Sequence, residues 1–111
     1  MVISIEKQGE TAIVAAGGRL DAVGAPELEA RGKASIQEGS KRLLLDLAKV
    51  EYISSAGLRS LLVLAKTVKA AGGGMALCSL TPAVREVMTM SGFDNILSLA
   101  ADRSAAMGLL K

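Results

Sequence analysis

Apolar and polar positions change period several times along the chain, and each change marks an element. Between Arg42 and Leu47 the run Leu43-Leu44-Leu45 is closed by Asp46 and Leu47. A run without polar alternation predicts a strand covered on both faces, as in a parallel α/β sheet. Past a short loop, from Ser54-Ser55-Ala56-Gly57 onward, apolar residues recur at helical spacing. Leu58, Leu61, Leu64, Ala65 and Val68 share an arc of roughly 120° and are the predicted core face. Ser55, Arg59, Leu62, Lys66 and Lys69 fall on an adjoining arc, so a serine at the helix start lies in line with a basic stripe.

The flanking pattern predicts the remaining elements. Val2–Lys7 and Thr11–Ala16 read as two short strands of a hairpin turning at Gln8-Gly9-Glu10, and Gly17-Gly18 is expected to break the second. Ala25-Pro26-Glu27 opens a helix reaching about Glu38, with Pro near its first position, Glu in its first turn, and Gly39 as terminator. Its stripe, Leu28, Gly32 and Ile36, is weak, since glycine costs a helix interior ~1 kcal/mol against alanine. Ala71-Gly72-Gly73-Gly74 ends the second helix. No helix follows this glycine run, so it reads as a cap and turn rather than a phosphate cradle. Met75–Ser79 is a second buried strand, with Cys78 an inert apolar residue within it.

Thr81-Pro82 pairs an N-cap with proline at the first helical position; Val84, Val87, Met88 and Ser91 make the inner side, and Gly92 stops the helix. Asn95–Leu99 is a short last strand, and Asp102 caps a final helix whose apolar side is Ala105, Ala106, Leu109 and Leu110. The order implies one mixed sheet packed by about four helices, an α/β domain spanning residues 1–111.

Composition removes several functions. There is no histidine, which excludes Ser-His-Asp and Cys-His catalysis, histidine metal sites and phosphohistidine transfer. Neither a G-x-S-x-G, a Walker loop nor a G-x-G-x-x-G is present. Conventional enzyme activity, metal and cofactor are therefore not expected. A net charge of +2, with dispersed cations and only one Tyr and one Phe, argues against nucleic-acid binding. The single cysteine allows no internal disulfide, the start of the chain is unlike a signal peptide, and Leu61–Ala65 is too short to span a membrane. A cytoplasmic protein that does not insert in membranes is expected.

Ser55 has two readings. It is either an N-cap, its oxygen accepting an orphan backbone N–H, or a place for a phosphate, which the free N–H groups and dipole of a helix start favour. Leu62 and Val63 are apolar yet outside the core arc, and beside Arg59 they suggest a partner patch.

The ordered set Gly18-Arg19-Leu20-Asp21, Leu45-Asp46-Leu47, Tyr52-Ile53-Ser54-Ser55-Ala56-Gly57-Leu58, Gly72-Gly73 before Met75–Cys78, and Thr81-Pro82-Ala83-Val84 through Met90-Ser91-Gly92-Phe93 resembles the anti-sigma-factor antagonist family, the STAS domain. The resemblance covers nearly the whole chain and implies a STAS-like fold. It also implies a partner-switching function. In bacterial members an anti-sigma factor that is also an ATP-dependent serine kinase phosphorylates a serine at the start of the second helix, and the phosphorylated antagonist lets go. A metal-dependent serine phosphatase restores it. Matched to the common Asp-Ser-x-Gly-Leu pattern, the acceptor is Ser55. Ser54 stands where the family often has Asp, which removes a charge beside the acceptor and leaves Ser54 as an alternative acceptor. Asp21 matches a position near the family's partner surface, and is equally readable as a turn residue. The implied partner face is Asp21, Ser54, Ser55, Gly57, Arg59, Leu62, Val63 and Lys66, with Gly57 allowing close approach.

Two other functions remain open at this point. The domain could be a STAS subunit of a lipid-transport or stress-sensing assembly, with the serine unused, or a small nucleotide- or ligand-binding sensor.

Overall fold

The computed structural model describes residues 1–110. The predicted hairpin forms from β1 (Val2–Gln8) and β2 (Thr11–Leu20), and is followed by α1 (Gly24–Gln37), β3 (Arg42–Ile53), α2 (Ser55–Ala70) and β4 (Gly74–Cys78). After α3 (Pro82–Ser91) a 3₁₀ turn over Phe93–Asn95 leads to β5 (Ser98–Ala100) and α4 (Arg103–Leu109). The five strands form one sheet in sequence order, β1 antiparallel to β2 and the rest parallel.

The two apolar runs are neighbours in the middle of this sheet. Leu43 pairs with Met75, Leu44 with Ala76 and Leu45 with Leu77. Their alternate side chains enter two cores. On one face Leu43, Leu45 and Leu77 pack with Leu28 of α1, Leu58, Leu61, Leu64 and Val68 of α2, and Val84 and Met88 of α3. On the other, Leu44, Ala76 and Cys78 pack with Ile13 and with Ala106 and Leu110 at α4. Burial pushes the Cys78 thiol up, consistent with an inert apolar role.

Four expectations are corrected. Gly17-Gly18 does not end β2; the strand continues to Leu20 through irregular register between Ala15 and Gly17 and between Gly18 and Arg19, with Gly18 at φ +103°. Glycine here is a kink within a strand rather than a stop. Phe93–Asn95 is taken up by the 3₁₀ turn after the left-handed Gly92, which moves the last strand to Ser98–Ala100. In α4 only Ala106 and Leu110 of the proposed apolar side are buried, because the short helix meets the sheet along one narrow line; Ala105 and Leu109 are exposed. Ser91 is exposed and donates to the Met88 carbonyl rather than facing the core.

Candidate functional site

The C-terminal ends of β2 and β3 lie side by side, Arg19 opposite Tyr52 and Leu20 opposite Ile53. Each strand turns there into a helix, so the N-termini of α1 and α2 share one edge of the sheet.

At the head of α2 the two serines divide their roles. Ser54 is extended, with φ −102° and ψ 177°, and its Oγ accepts the Gly57 N–H at 3.4 Å. Its own N–H donates to the Leu20 carbonyl at 3.0 Å, and its carbonyl accepts from Leu58 at 2.9 Å. Ser54 is therefore the N-cap and Ser55 the first helical residue. The capping role offered for Ser55 belongs to its neighbour. The Ser55 side chain is exposed, and among the described residues its hydroxyl has no hydrogen-bond partner. The N–H groups of the first turn lie beside it without intrahelical partners, apart from the one Ser54 caps.

Asp21 builds the adjoining turn. Its Oδ1 accepts the N–H groups of Val23 at 3.1 Å and Gly24 at 3.0 Å, and its carbonyl accepts from Ala25 at 2.7 Å. The Gly24 and then the Val23 N–H, with a smaller contribution from Arg19, hold its carboxyl below the usual range. Asp21 thus has the turn role, while Oδ2, 3.4 Å from the Arg19 Nε, remains at the surface.

Gly57 is buried. A Cβ there would stand 2.8 Å from Ile53 Cγ1 and 2.9 Å from Leu20 Cγ, and against the Leu20 carbonyl. Its missing side chain lets the head of α2 press onto the end of β2, which ties the Ser55 position to the Asp21 turn.

On the outward side of α2, Arg59 and Lys66 are exposed and Leu62 and Val63 are half-buried. The core set is as expected, with Ala65 only partly buried. The helical pattern did not disclose Ser60, which is buried and donates to Glu29 of α1 at 3.1 Å.

One further feature of the site was not legible. The Arg19 guanidinium lies over the Tyr52 ring, 4.3 Å from its centroid. The two residues are far apart in sequence, and only strand register brings them together; no local signal marks the pair. Among the described residues no group of three or more acidic or cysteine side chains could hold a metal, and no helix is long and apolar enough to cross a membrane.

The fold and site define a small α/β domain: a helix presenting a mixed basic and apolar face, with an exposed serine hydroxyl at its head. The STAS domain family matches residues 2–106. The chain belongs to that family, the family of the anti-sigma-factor antagonists, which are non-enzymatic regulators. It is 39% identical over 111 residues to BtrV of Bordetella bronchiseptica, a candidate anti-sigma factor antagonist, with 100% of this chain and 96% of BtrV covered. Among solved structures it is similar to an anti-sigma factor antagonist from Mycobacterium paratuberculosis (TM-score 0.88, 25% identity, 98% of this chain and 92% of that one). It is also similar in fold to the anti-sigma factor antagonist SpoIIAA. In its unphosphorylated form the TM-score is 0.81 at 21% identity, over 97% of this chain and 96% of SpoIIAA. In its phosphorylated form, described as a Bacillus cell fate determinant, the values are 0.74 and 19%, over 97% and 99%.

Proposed function

We propose that this protein is an anti-sigma-factor antagonist of a partner-switching pathway. It binds an anti-sigma factor that is also a serine kinase, and phosphorylation of Ser55 releases it. A metal-dependent serine phosphatase resets it. The observation that carries this reading is the division of labour at the head of α2: Ser54 caps the helix, so the exposed Ser55 hydroxyl is left without a structural task. The full-length similarity to BtrV and the existence of SpoIIAA in a phosphorylated form support the same reading.

The chemistry follows from the position. A phosphate on Ser55 adds about −1.5 to −2 charges beside free N–H groups at the positive end of the helix dipole, so the domain tolerates it. Arg59, one turn on and exposed, is placed for an i,i+4 pair with it. A partner pressed onto that charge without a matching cation faces a desolvation cost on the order of several kcal/mol. Charge and bulk alone release it, with no large conformational change. The proposed docking face runs from Asp21 in the adjoining turn and Ser54 at the cap, down α2 through Ser55, Arg59, Leu62, Val63 and Lys66, with the buried Gly57 holding the head of the helix against β2.

The test is incubation with an ATP-dependent anti-sigma-factor kinase and ATP, followed by mass mapping of the phosphate. Label is expected on Ser55 and lost in Ser55→Ala, while Ser55→Asp binds the kinase more weakly. Full labelling of Ser55→Ala with loss of label in Ser54→Ala would move the acceptor to Ser54. No effect of either change on labelling or binding would leave Ser55 a surface residue.

A further inference from the structure

The charge on α2 is one-sided. From Ser55 to Ala70 the helix carries Arg59, Lys66 and Lys69 and no acidic residue. All three cations are exposed, and among the described residues none is in an ion pair. The helix dipole accounts for only part of this. Lys69 in the last turn suits the negative end of a helix, and the Lys41 ammonium donates to the Ala71 carbonyl at 2.8 Å. Arg59 lies near the positive end, where a helix favours acids, and the first turn has none. No ion pair among the described residues accounts for that choice.

Beyond the C-terminal end of α2 the same charge continues around a cavity of about 460 Å³. Lys69 and Lys41 stand at it with Arg42, which pairs with Glu10 at 3.9 Å and donates to the Leu110 carbonyl at 2.6 Å; Leu97, Ile96 and Leu109 supply apolar lining, and no acidic side chain lines it. Ile96 and Leu109 are 61% and 55% exposed, so this end also leaves large apolar surface uncovered. The cavity lies toward the opposite end of α2 from Ser55; Ala65 and Lys69, which line it, are about 15 and 21 Å along the helix at 1.5 Å per residue. It therefore extends the band well past the phosphate-accepting head.

We propose that the partner surface seated on α2 is acidic along the whole length of the helix, around an apolar centre that meets Leu62 and Val63. Its far end places an apolar side chain in the cavity between Ile96 and Leu109. The inference rests on the docking role proposed for α2 and specifies the chemistry of the partner. Opposite charge on the two faces steers encounter and rejects partners with basic surfaces.

The test uses the full chain and the kinase identified by the phosphorylation experiment, with affinity and on-rate measured between about 50 and 300 mM salt. The Kd is expected to rise about tenfold over that range, mainly through the on-rate. Lys66→Glu and Lys69→Glu should each weaken binding at least fivefold and flatten the salt dependence. Lys66→Gln and Lys69→Gln should do so to a smaller degree. Ile96→Asn should weaken binding with the salt dependence unchanged. Lys49→Glu, which changes the charge equally at a separate hollow beside Arg103, should stay within twofold of wild type. A wild-type complex insensitive to salt and to both lysine reversals overturns the inference while leaving the switch reading intact; unchanged affinity in Ile96→Asn overturns the cavity's part. Absence of any wild-type complex overturns both. Binding of the free chain to a short single-stranded DNA, abolished by the same reversals, would assign the basic band to nucleic acid and overturn the proposal.

Discussion

The Ser54 hydroxyl accepts the backbone N–H of Gly57 at 3.4 Å, and through this contact the serine next to the candidate acceptor, rather than the acceptor itself, closes the helix. The cap and the proposed phosphate acceptor thereby fall on adjacent side chains that a single substitution can separate. Ser54→Ala is expected to lower stability by ~1 kcal/mol, the usual loss of a capping side chain. It should leave labelling of Ser55 largely intact. Ser55→Ala should change stability by less than about 0.5 kcal/mol, as expected for an exposed side chain with no partner. Urea denaturation of the two variants, with mass mapping of the labelled proteins, checks both halves. Equal stability loss in the two would show that the cap is shared.

Gly57 gives the opposite kind of prediction. Alanine is the better helix former by ~1 kcal/mol, so propensity alone expects Gly57→Ala to stabilise α2. The space is already taken by the backbone carbonyl of Leu20 and by Ile53. Backbone cannot move aside as a side-chain end can, so overpacking should dominate, with a net loss of about 1–3 kcal/mol. It should also shift amide resonances around Leu20 and Asp21, because α2 is pushed off the end of β2. A stabilised variant with those resonances unmoved would show that the contact is slack.

The same contrast explains what was legible in the sequence. Leu43–Leu45 and Met75–Leu77 announce two-sided burial through unbroken apolar runs, and they pair as central parallel neighbours. The core arc of α2 follows from spacing alone. Glycines were harder, because their meaning depends on what lies opposite. Gly17-Gly18 looks like a break but bends a strand that stays paired with β3. Gly32 looks like a weakness in α1, yet a Cβ there would stand 2.6 Å from Leu64 Cδ2. It is the place where α1 and α2 come close. The two serines at α2 carry equal capping chemistry, so a one-residue difference in helix start decides which is free. Arg19 over Tyr52 depends on strand register, which no local pattern encodes.

Asp21 should make the site acid-sensitive. Its folded carboxyl titrates below its ordinary value, chiefly because Gly24 and Val23 donate to the ionised form. A depressed folded value means that its contribution to stability is fully present above the ordinary carboxylate range and fades as pH falls through the folded value. The stability gap between wild type and Asp21→Asn should accordingly be constant at neutral pH and shrink on acidification below about pH 4. Denaturation of both proteins across pH 2–7 (values of ordinary carboxylate titration) tests this. A gap that widens in acid would mean that the carboxyl is not held ionised by the turn.

Val63 offers the cleanest separation of docking from folding. It is half-buried on α2 and adjoins Leu62, and its backbone carbonyl accepts the Thr67 hydroxyl at 2.7 Å, a contact that survives any change of its side chain. The central core contacts of the helix come instead from Leu58, Leu61, Leu64 and Val68. An interface with an acidic surface set around an apolar centre should respond sharply to a carboxylate placed at that centre, which loses apolar contact and gains repulsion. Val63→Asp is therefore expected to weaken kinase binding at least tenfold, about 1.4 kcal/mol, with the fold retained by circular dichroism. Val63→Ala separates the two contributions, since it loses contact area without adding charge. It should weaken binding less and keep the wild-type salt dependence. A folded Val63→Asp protein with unchanged affinity would remove Val63 from the interface and move the docking face off this side of α2.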